Sequence, residues 1–161
     1  MMIQECIIKF GKDVNTDQII PSQYLLLPTI EEMKQYTFEP LRPSFVEEVK
    51  ERKVIIAGEN FGCGSSREQA PRVLKALGVK AIVAQSYARI FYRNAINIGL
   101  PVVVCKDIYE VITEDDEIAI DMKQGSLKIV GKDEIYHSTK LPEYIMKIIE
   151  AGGLINMINN K

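Results

Sequence analysis

Three short apolar runs, Val54–Ala57, Ala81–Gln85 and Pro101–Cys105, constrain this chain more than anything else in it. Runs of this length, bounded by turn residues, read as strands buried on both faces. Between the first and second, Ala70, Val73, Leu74 and Leu77 recur at i, i+3, i+4 and i+7, the apolar stripe of a helix. Between the second and third, Ala88, Phe91, Ala95 and Ile98 form another stripe. Gly78 and Gly99 follow the two stripes, where helices end. Strands joined by helical crossovers lie parallel, so the pattern predicts a β-α-β-α-β core.

Around that core the pattern changes. Met2–Phe10 reads as a β-branched strand closed by Gly11. Residues 11–29 read as a long loop or a short strand between turns, and residues 30–52 as short helices interrupted by Pro40 and Pro43. Glu117–Asp121 and Leu127–Val130, around Gln124-Gly125, predict an antiparallel hairpin. A helix is expected from Pro142 to Ala151, stopped by Gly152-Gly153, and then a polar, frayed tail at 158–161. The expected fold class is α/β, a parallel core plus an added antiparallel hairpin, in one domain over residues 1–161.

Composition narrows the function. Twenty Lys and Arg against 22 Asp and Glu give a net charge of -2, with no basic stripe for nucleic acid. No apolar run approaches the ~18 residues of a membrane span. The start, MMIQECIIKFGKD, does not read as a signal peptide. The chain has one histidine, His137, and three widely spaced cysteines, Cys6, Cys63 and Cys105. That spacing fits no zinc ribbon, redox pair or iron–sulfur run, and points to a reducing cytoplasm. A self-contained metal site or a histidine triad is therefore not expected.

The segment Gly58–Arg67 follows an expected strand and opens an expected helix. Gly58, Gly62 and Gly64 let its backbone bend sharply and approach a ligand. Ser65, Ser66 and Arg67 add two hydroxyls and a guanidinium near a helix N-terminus, the chemistry of a small-anion pocket. Two other polar sets could join it at the carboxyl ends of the strands: Asn15-Thr16-Asp17, and Arg89, Arg93, Asn94 and Asn97.

Each of these has a plainer reading. The glycine-rich segment could be only a tight turn, and Ser66, three residues before Gln69, could be only a helix cap. Arg89 and Arg93 could be solvated helix-surface charges. Cys63 could be a nucleophile activated by a helix N-terminus, although no base accompanies it. His137 reads as a surface residue, and Cys6 and Cys105 as core.

Three runs together carry a resemblance to a known family: GKDVNTDQIIP from Gly11 to Pro21, GENFGCGSSRE from Gly58 to Glu68, and SYARIFYRNAINIGLP from Ser86 to Pro101. They resemble the small subunits of 3-isopropylmalate dehydratases, the separate-chain form of the aconitase swivel domain, in order and over essentially the whole chain. The resemblance implies a β/β/α swivel domain docked on a large subunit, as a heterodimer or heterotetramer. It implies a [4Fe–4S] cluster held by that large subunit, whose open iron acts as a Lewis acid in a dehydration and rehydration. It implies Ser65 as the base that removes a carbon-bound proton, Arg67 as a ligand for a substrate carboxylate, Ser66 as a hydrogen-bonding neighbour, and Asp17 in the proton-relay or orienting set. A serine base is chemically demanding; a helix N-terminus, backbone N–H donors and Arg67 would all favour its anion.

The resemblance also places substrate selection at Tyr24, Leu25, Leu26 and Leu27. Homoaconitase-like members look like Tyr-Leu-Arg-Thr there, and their arginine can pair with an extra carboxylate. A buried Leu26 cannot, and suits an alkyl group, so an alkyl-malate substrate is expected. Isopropylmalate, citramalate and homocitrate are the members of the substrate series to separate. A stand-alone phosphate-binding module is the reading from another class; against it, the chain has no GxxxxGK[ST] and no GxGxxG with a downstream ribose acid. A third reading, a scaffold that only stabilises the large subunit, requires Ser65 to be dispensable.

Overall fold

The computed structural model describes residues 1–160. Seven strands form one sheet: β1 (Met2–Lys9), β2 (Val54–Ala57), β3 (Ala81–Ala84), β4 (Val102–Val104), β5 (Glu117–Asp121), β6 (Ser126–Ile129) and β7 (Ile135–His137). Their spatial order is β4-β3-β2-β1-β5-β6-β7.

The expected parallel core is present with one more strand. The second half of β1 pairs parallel with β2, Ile7 opposite Val54 and Lys9 opposite Ile56. Its first half pairs antiparallel with β5, Met2 opposite Asp121 and Cys6 opposite Glu117. β1 thus joins two halves of the sheet that differ in character. On the parallel side every residue of β2 and β3 is buried. On the antiparallel side only alternate residues are buried, Ile118 and Ile120 on β5 and Leu127 and Ile129 on β6. That alternation corrects the reading of Cys6 as core: it lies on the outward face of β1 and is exposed, while Cys105 is buried.

The crossovers are α4 (Gln69–Ala76) and α5 (Arg89–Asn97). The chain between β1 and β2 holds α1 (Thr16–Ile19), a 3-10 turn over Ser22–Leu26, α2 (Ile30–Met33) and α3 (Phe45–Glu48). The expected loop at 11–29 therefore contains a helical turn. Its signal is Asn15 and Gln18, which cap each other's backbone N–H groups reciprocally.

Two elements at the other end were not expected. β7 turns the hairpin into a three-stranded meander, and its single central residue Tyr136 is only half-buried, so its sequence carries no strong period. After α6 (Glu143–Glu150), a second helix, α7 (Leu154–Asn159), takes up Ile158 and Asn159 from the expected frayed tail; Lys161 of that tail lies outside the described residues.

Loops leaving the carboxyl ends of β1, β2 and β3 stay side by side in the order of their strands. Isolated parallel bridges join Asn15 to Cys63 and Phe61 to Tyr87. This loop cluster is the place where an open parallel sheet receives ligands.

Candidate functional site

The first loop reaches across to the second mainly by backbone bonds. Asp13 donates to the Glu59 carbonyl at 2.8 Å, and the N–H of Thr16 to the Cys63 carbonyl at 2.9 Å. In return Gly62 donates to the Val14 carbonyl at 2.7 Å. Gly62 has φ +84°, and a Cβ there would lie 2.2 Å from Cγ of Phe91. That ring packs edge-on to Phe61 and stacks on Tyr87, so glycine is required by conformation and by space.

Beyond Gly62 the chain turns through Gly64, at φ +92°, into Ser65-Ser66-Arg67. A cavity of about 270 Å³ opens there, lined on one wall by Thr16, Gly64, Ser65, Ser66 and Arg67. Arg89, Ile90, Phe91 and Asn94, from the first turns of α5, line the other. Ser65 and Ser66 are exposed, and Arg67 is mostly covered, with 16% of its side chain accessible.

Arg67 and Asp17 are brought together as an ion pair, and Arg67 also donates to the Ile20 carbonyl at 3.0 Å. Asp17 is exposed and lines a neighbouring groove with Pro21, Ser22 and Gln23. Arg67 therefore bridges the two loops and is already paired with one carboxylate.

Two expectations change here, and one alternative falls away. Helix α4 starts at Gln69 with Glu68 as its cap residue and no side-chain capping bond, so Ser66 is not the cap. The reason lies in residues 65–67, where Arg67 donates back to the Ser65 carbonyl at 2.9 Å and holds the chain in a turn. The helix N-terminus facing the serines is instead that of α5. Cys63 is not an activated thiol: burial, reinforced by the charge of Asp13, pushes its pKa up. The polar set on α5 is divided, with Asn94 in the cavity, Arg93 and Asn97 at a groove beside Tyr144 and Ile145, and Arg89 bordering both.

The apolar segment 24–27 does not line this cavity. Tyr24 stacks on Tyr36 with ring centroids 4.0 Å apart and donates its hydroxyl to Glu39 at 2.5 Å. That hydrogen bond, chiefly, raises the phenol pKa. Leu25 and Leu27 pack partly on the core. Leu26, expected to be buried, is 89% exposed, because the 3-10 turn over Ser22–Leu26 carries it at its outer end.

A larger groove of about 520 Å³ lies between α7 and the ends of α4 and α5, and contains none of Ser65, Ser66, Arg67 or Asp17. Among the described residues no three His, Cys, Asp or Glu side chains are grouped to hold a metal ion. His137 is exposed on the edge strand. No helix among the described residues is long and apolar enough to cross a membrane. Of the cavity wall, sequence reasoning named Thr16 only within the Asn15-Thr16-Asp17 set, with no role of its own, and singled out Ile90 not at all. Thr16 had a signal, since it stands inside the Asn-Thr-Asp run; Ile90 had none.

The model of the Aconitase C-terminal domain family matches residues 12–107, which contain both loops and both crossover helices. The isopropylmalate/citramalate isomerase small subunit of Methanocaldococcus jannaschii is 46% identical over 153 residues, 95% of this chain and 91% of that one. The 3-isopropylmalate dehydratase small subunit 1 of Archaeoglobus fulgidus is 50% identical over 147 residues, 91% of each chain. The solved structure of 3-isopropylmalate dehydratase from Methanocaldococcus jannaschii superposes with a TM-score of 0.92 at 41% identity, covering 99% of this chain and 95% of that one. With a family model over more than half its length and relatives this similar end to end, the chain belongs to the aconitase C-terminal domain family, among the separate small subunits of 3-isopropylmalate dehydratases.

Proposed function

We propose that this chain is the small subunit of a cytoplasmic hydro-lyase of leucine biosynthesis, which interconverts 2-isopropylmalate and 3-isopropylmalate by dehydration and rehydration. In this reading residues 1–161 act as one swivel domain on a large partner subunit. The observation that carries it is the joining of Ser65, Ser66 and Arg67 in one cavity at the carboxyl end of a parallel sheet, with Asp17 paired to Arg67 at its edge.

Aconitase-type dehydratases imply an iron–sulfur cluster. The donor set of this chain does not fit one, since Cys6 is exposed on β1, Cys63 is half-buried in the loop and Cys105 is buried after β4. The cluster is therefore assigned to the large subunit.

What this chain supplies is acid–base and binding chemistry. Ser65, as its alkoxide, takes the proton from carbon and becomes a neutral hydroxyl, and Ser66 hydrogen-bonds beside it. The N-terminus of α5 across the cavity offers positive potential where negative charge develops. Arg67 holds a substrate carboxylate in a fork geometry. Asp17, which already orients the guanidinium, keeps it extended between the loops and exchanges place with the substrate carboxylate or shares the arginine with it.

Selection falls to Tyr24, Leu25, Leu26 and Leu27. The exposed Leu26 meets the alkyl group of the substrate only when the partner closes over it. One apolar contact separates alkyl sizes weakly, by about 10–200-fold per methylene, so citramalate is the second substrate this site supports. The relative from Methanocaldococcus jannaschii is named for both isopropylmalate and citramalate.

The test is co-expression with the large subunit of the same organism and assay on 2-isopropylmalate, citramalate and homoaconitate. The expected result is turnover of the alkyl-malates, with homoaconitate slower by about 100-fold or more. Equal turnover of homoaconitate would overturn the assigned specificity. An assembled, cluster-loaded complex inert on all three would overturn the function.

A further inference from the structure

Thr16 is one of two buried polar side chains among the described residues, with 2% of its surface exposed. The other, Thr37, is bonded locally to the Lys34 carbonyl. Thr16 reaches a different loop. Its hydroxyl donates to the Ser65 carbonyl at 2.8 Å, and its own N–H donates to the Cys63 carbonyl at 2.9 Å. The two bonds land on either side of Gly64, whose φ of +92° is the freest point of the segment.

The Ser65 carbonyl also accepts from the N–H of Arg67 at 2.9 Å, so both of its lone pairs are engaged. Together these bonds fix the plane of the peptide between Ser65 and Ser66, and with it the direction in which the Ser65 side chain leaves the backbone. Thr16 is itself held, as the first residue of α1 behind the reciprocal cap of Asn15 and Gln18.

Building on the role proposed for Ser65, we propose that Thr16 is a positioning residue for proton removal, because its hydroxyl and N–H clamp the chain on both sides of Gly64 and set the orientation of Ser65. It acts through Ser65 and makes no claim on substrate. Without the hydroxyl the Ser65–Ser66 peptide keeps one bond and can rotate about Gly64. Displacement of a catalytic group by about 1 Å can cost about 100-fold in rate.

The experiment uses the complex with the large subunit and compares Thr16→Val, Thr16→Ala, Thr16→Ser and Ser65→Ala. Readouts are kcat and KM for isopropylmalate, the deuterium isotope effect at the carbon that loses its proton, and assembly by gel filtration. Thr16→Val and Thr16→Ala are expected to lower kcat about 10- to 100-fold, to leave KM within about threefold, and to raise the isotope effect as proton removal becomes slower. Thr16→Ser, which keeps the hydroxyl, is expected within about threefold of the parent in kcat. An unchanged kcat in Thr16→Val, a loss equally deep in Thr16→Ser, or a fall in rate without a larger isotope effect would each overturn the proposal. Failure of both Val and Ala variants to assemble would do the same, in favour of a purely structural clamp. Full activity in Ser65→Ala would instead overturn the role of Ser65 itself, whatever Thr16 does.

Discussion

Residues 58–67 and residues 22–27 border the same ion pair of Asp17 and Arg67, yet they are held by different means. The first is bonded along its length to its neighbours, with Glu59, Gly62, Cys63 and Ser65 tied to residues 13–16 and Phe61 to the Ser86 carbonyl. The second has local bonds, Tyr24 to the Pro21 carbonyl and Leu27 to the Tyr24 carbonyl, and is fastened by one stacked, hydrogen-bonded tyrosine. The segment proposed to carry chemistry is thus fixed by the chain itself. The segment assigned to selectivity holds its most apolar tip, Leu26, in the open. Burying a leucine contributes about 1.5–3 kcal/mol only when something covers it, so Leu26 stores a contribution that a partner or substrate realises.

The comparison breaks most readily at Gly62. In Gly62→Ala the new methyl would sit 2.2 Å from Cγ and 2.4 Å from Cβ of Phe91, beside a backbone at φ +84°. The ring is confined by Phe61 and Tyr87 and cannot yield without disturbing that aromatic packing. The expected loss is at least about 3 kcal/mol, or no soluble chain at all. Urea denaturation of the isolated chain measures it. Stability near that of the parent would mean that the loop deforms easily and that its backbone bonds do not hold it.

A smaller effect concerns the connection that carries residues 22–27. Its far end is anchored by Arg42, which donates to Glu48 at 2.7 Å and 2.8 Å and also to Glu114, joining α3 to the turn before β5. Hydrogen bonding to Arg42 is the main cause that lowers the Glu48 carboxyl from an ordinary 4.5 to about 2, and it lowers Glu114 as well. A depressed carboxylate stabilises the fold fully above its unfolded pKa. That contribution fades as pH falls from about 4.5 toward 2. With 30% of the Glu48 side chain in water, about 1–2 kcal/mol is expected. Glu48→Gln should lower stability by that amount at pH 6 and flatten its decline between pH 5 and pH 3. An unchanged pH dependence in the variant would place the anchor elsewhere.

The two segments also differ in how far their sequences announced them. The apolar runs and helical stripes of residues 54–104 fixed the parallel core, because complete burial on both faces leaves a continuous signal. The glycines and Ser65-Ser66-Arg67 announced the loop that lines the cavity. Nothing local announced that β1 would pair on both sides, since that depends on β5, more than a hundred residues later. The start of α4, open in the sequence between Ser66 and Ala70, falls at Gln69; Ser66 and Gln69 have a cap's spacing, but the bond from Arg67 to the Ser65 carbonyl holds residues 65–67 outside the helix. Leu26 was expected to be buried because an apolar residue in isolation gives no hint of what covers it. Thr16 was passed over for Asp17 because a buried hydroxyl between two loops is a tertiary fact.

The finest test lies at Leu26 itself. An arginine at the outer end of an exposed turn displaces no packing, so Leu26→Arg should change the stability of the isolated chain by less than about 0.5 kcal/mol. In the complex the same change introduces a cation where an alkyl group is proposed to bind. It should lower kcat/KM for isopropylmalate by about 10–200-fold and improve homoaconitate relative to it, since the added carboxylate gains a partner. Urea denaturation of the chain and competition between the two substrates in the complex separate the possibilities. A stability loss above about 1 kcal/mol would show that the tip is packed in the isolated chain, which removes the contrast with residues 58–67. Unchanged selectivity with unchanged stability would show that the tip meets the partner subunit and not the substrate. A reversal of selectivity at constant stability would uphold the proposed division, with the reacting groups set by this chain and the choice of substrate completed on assembly.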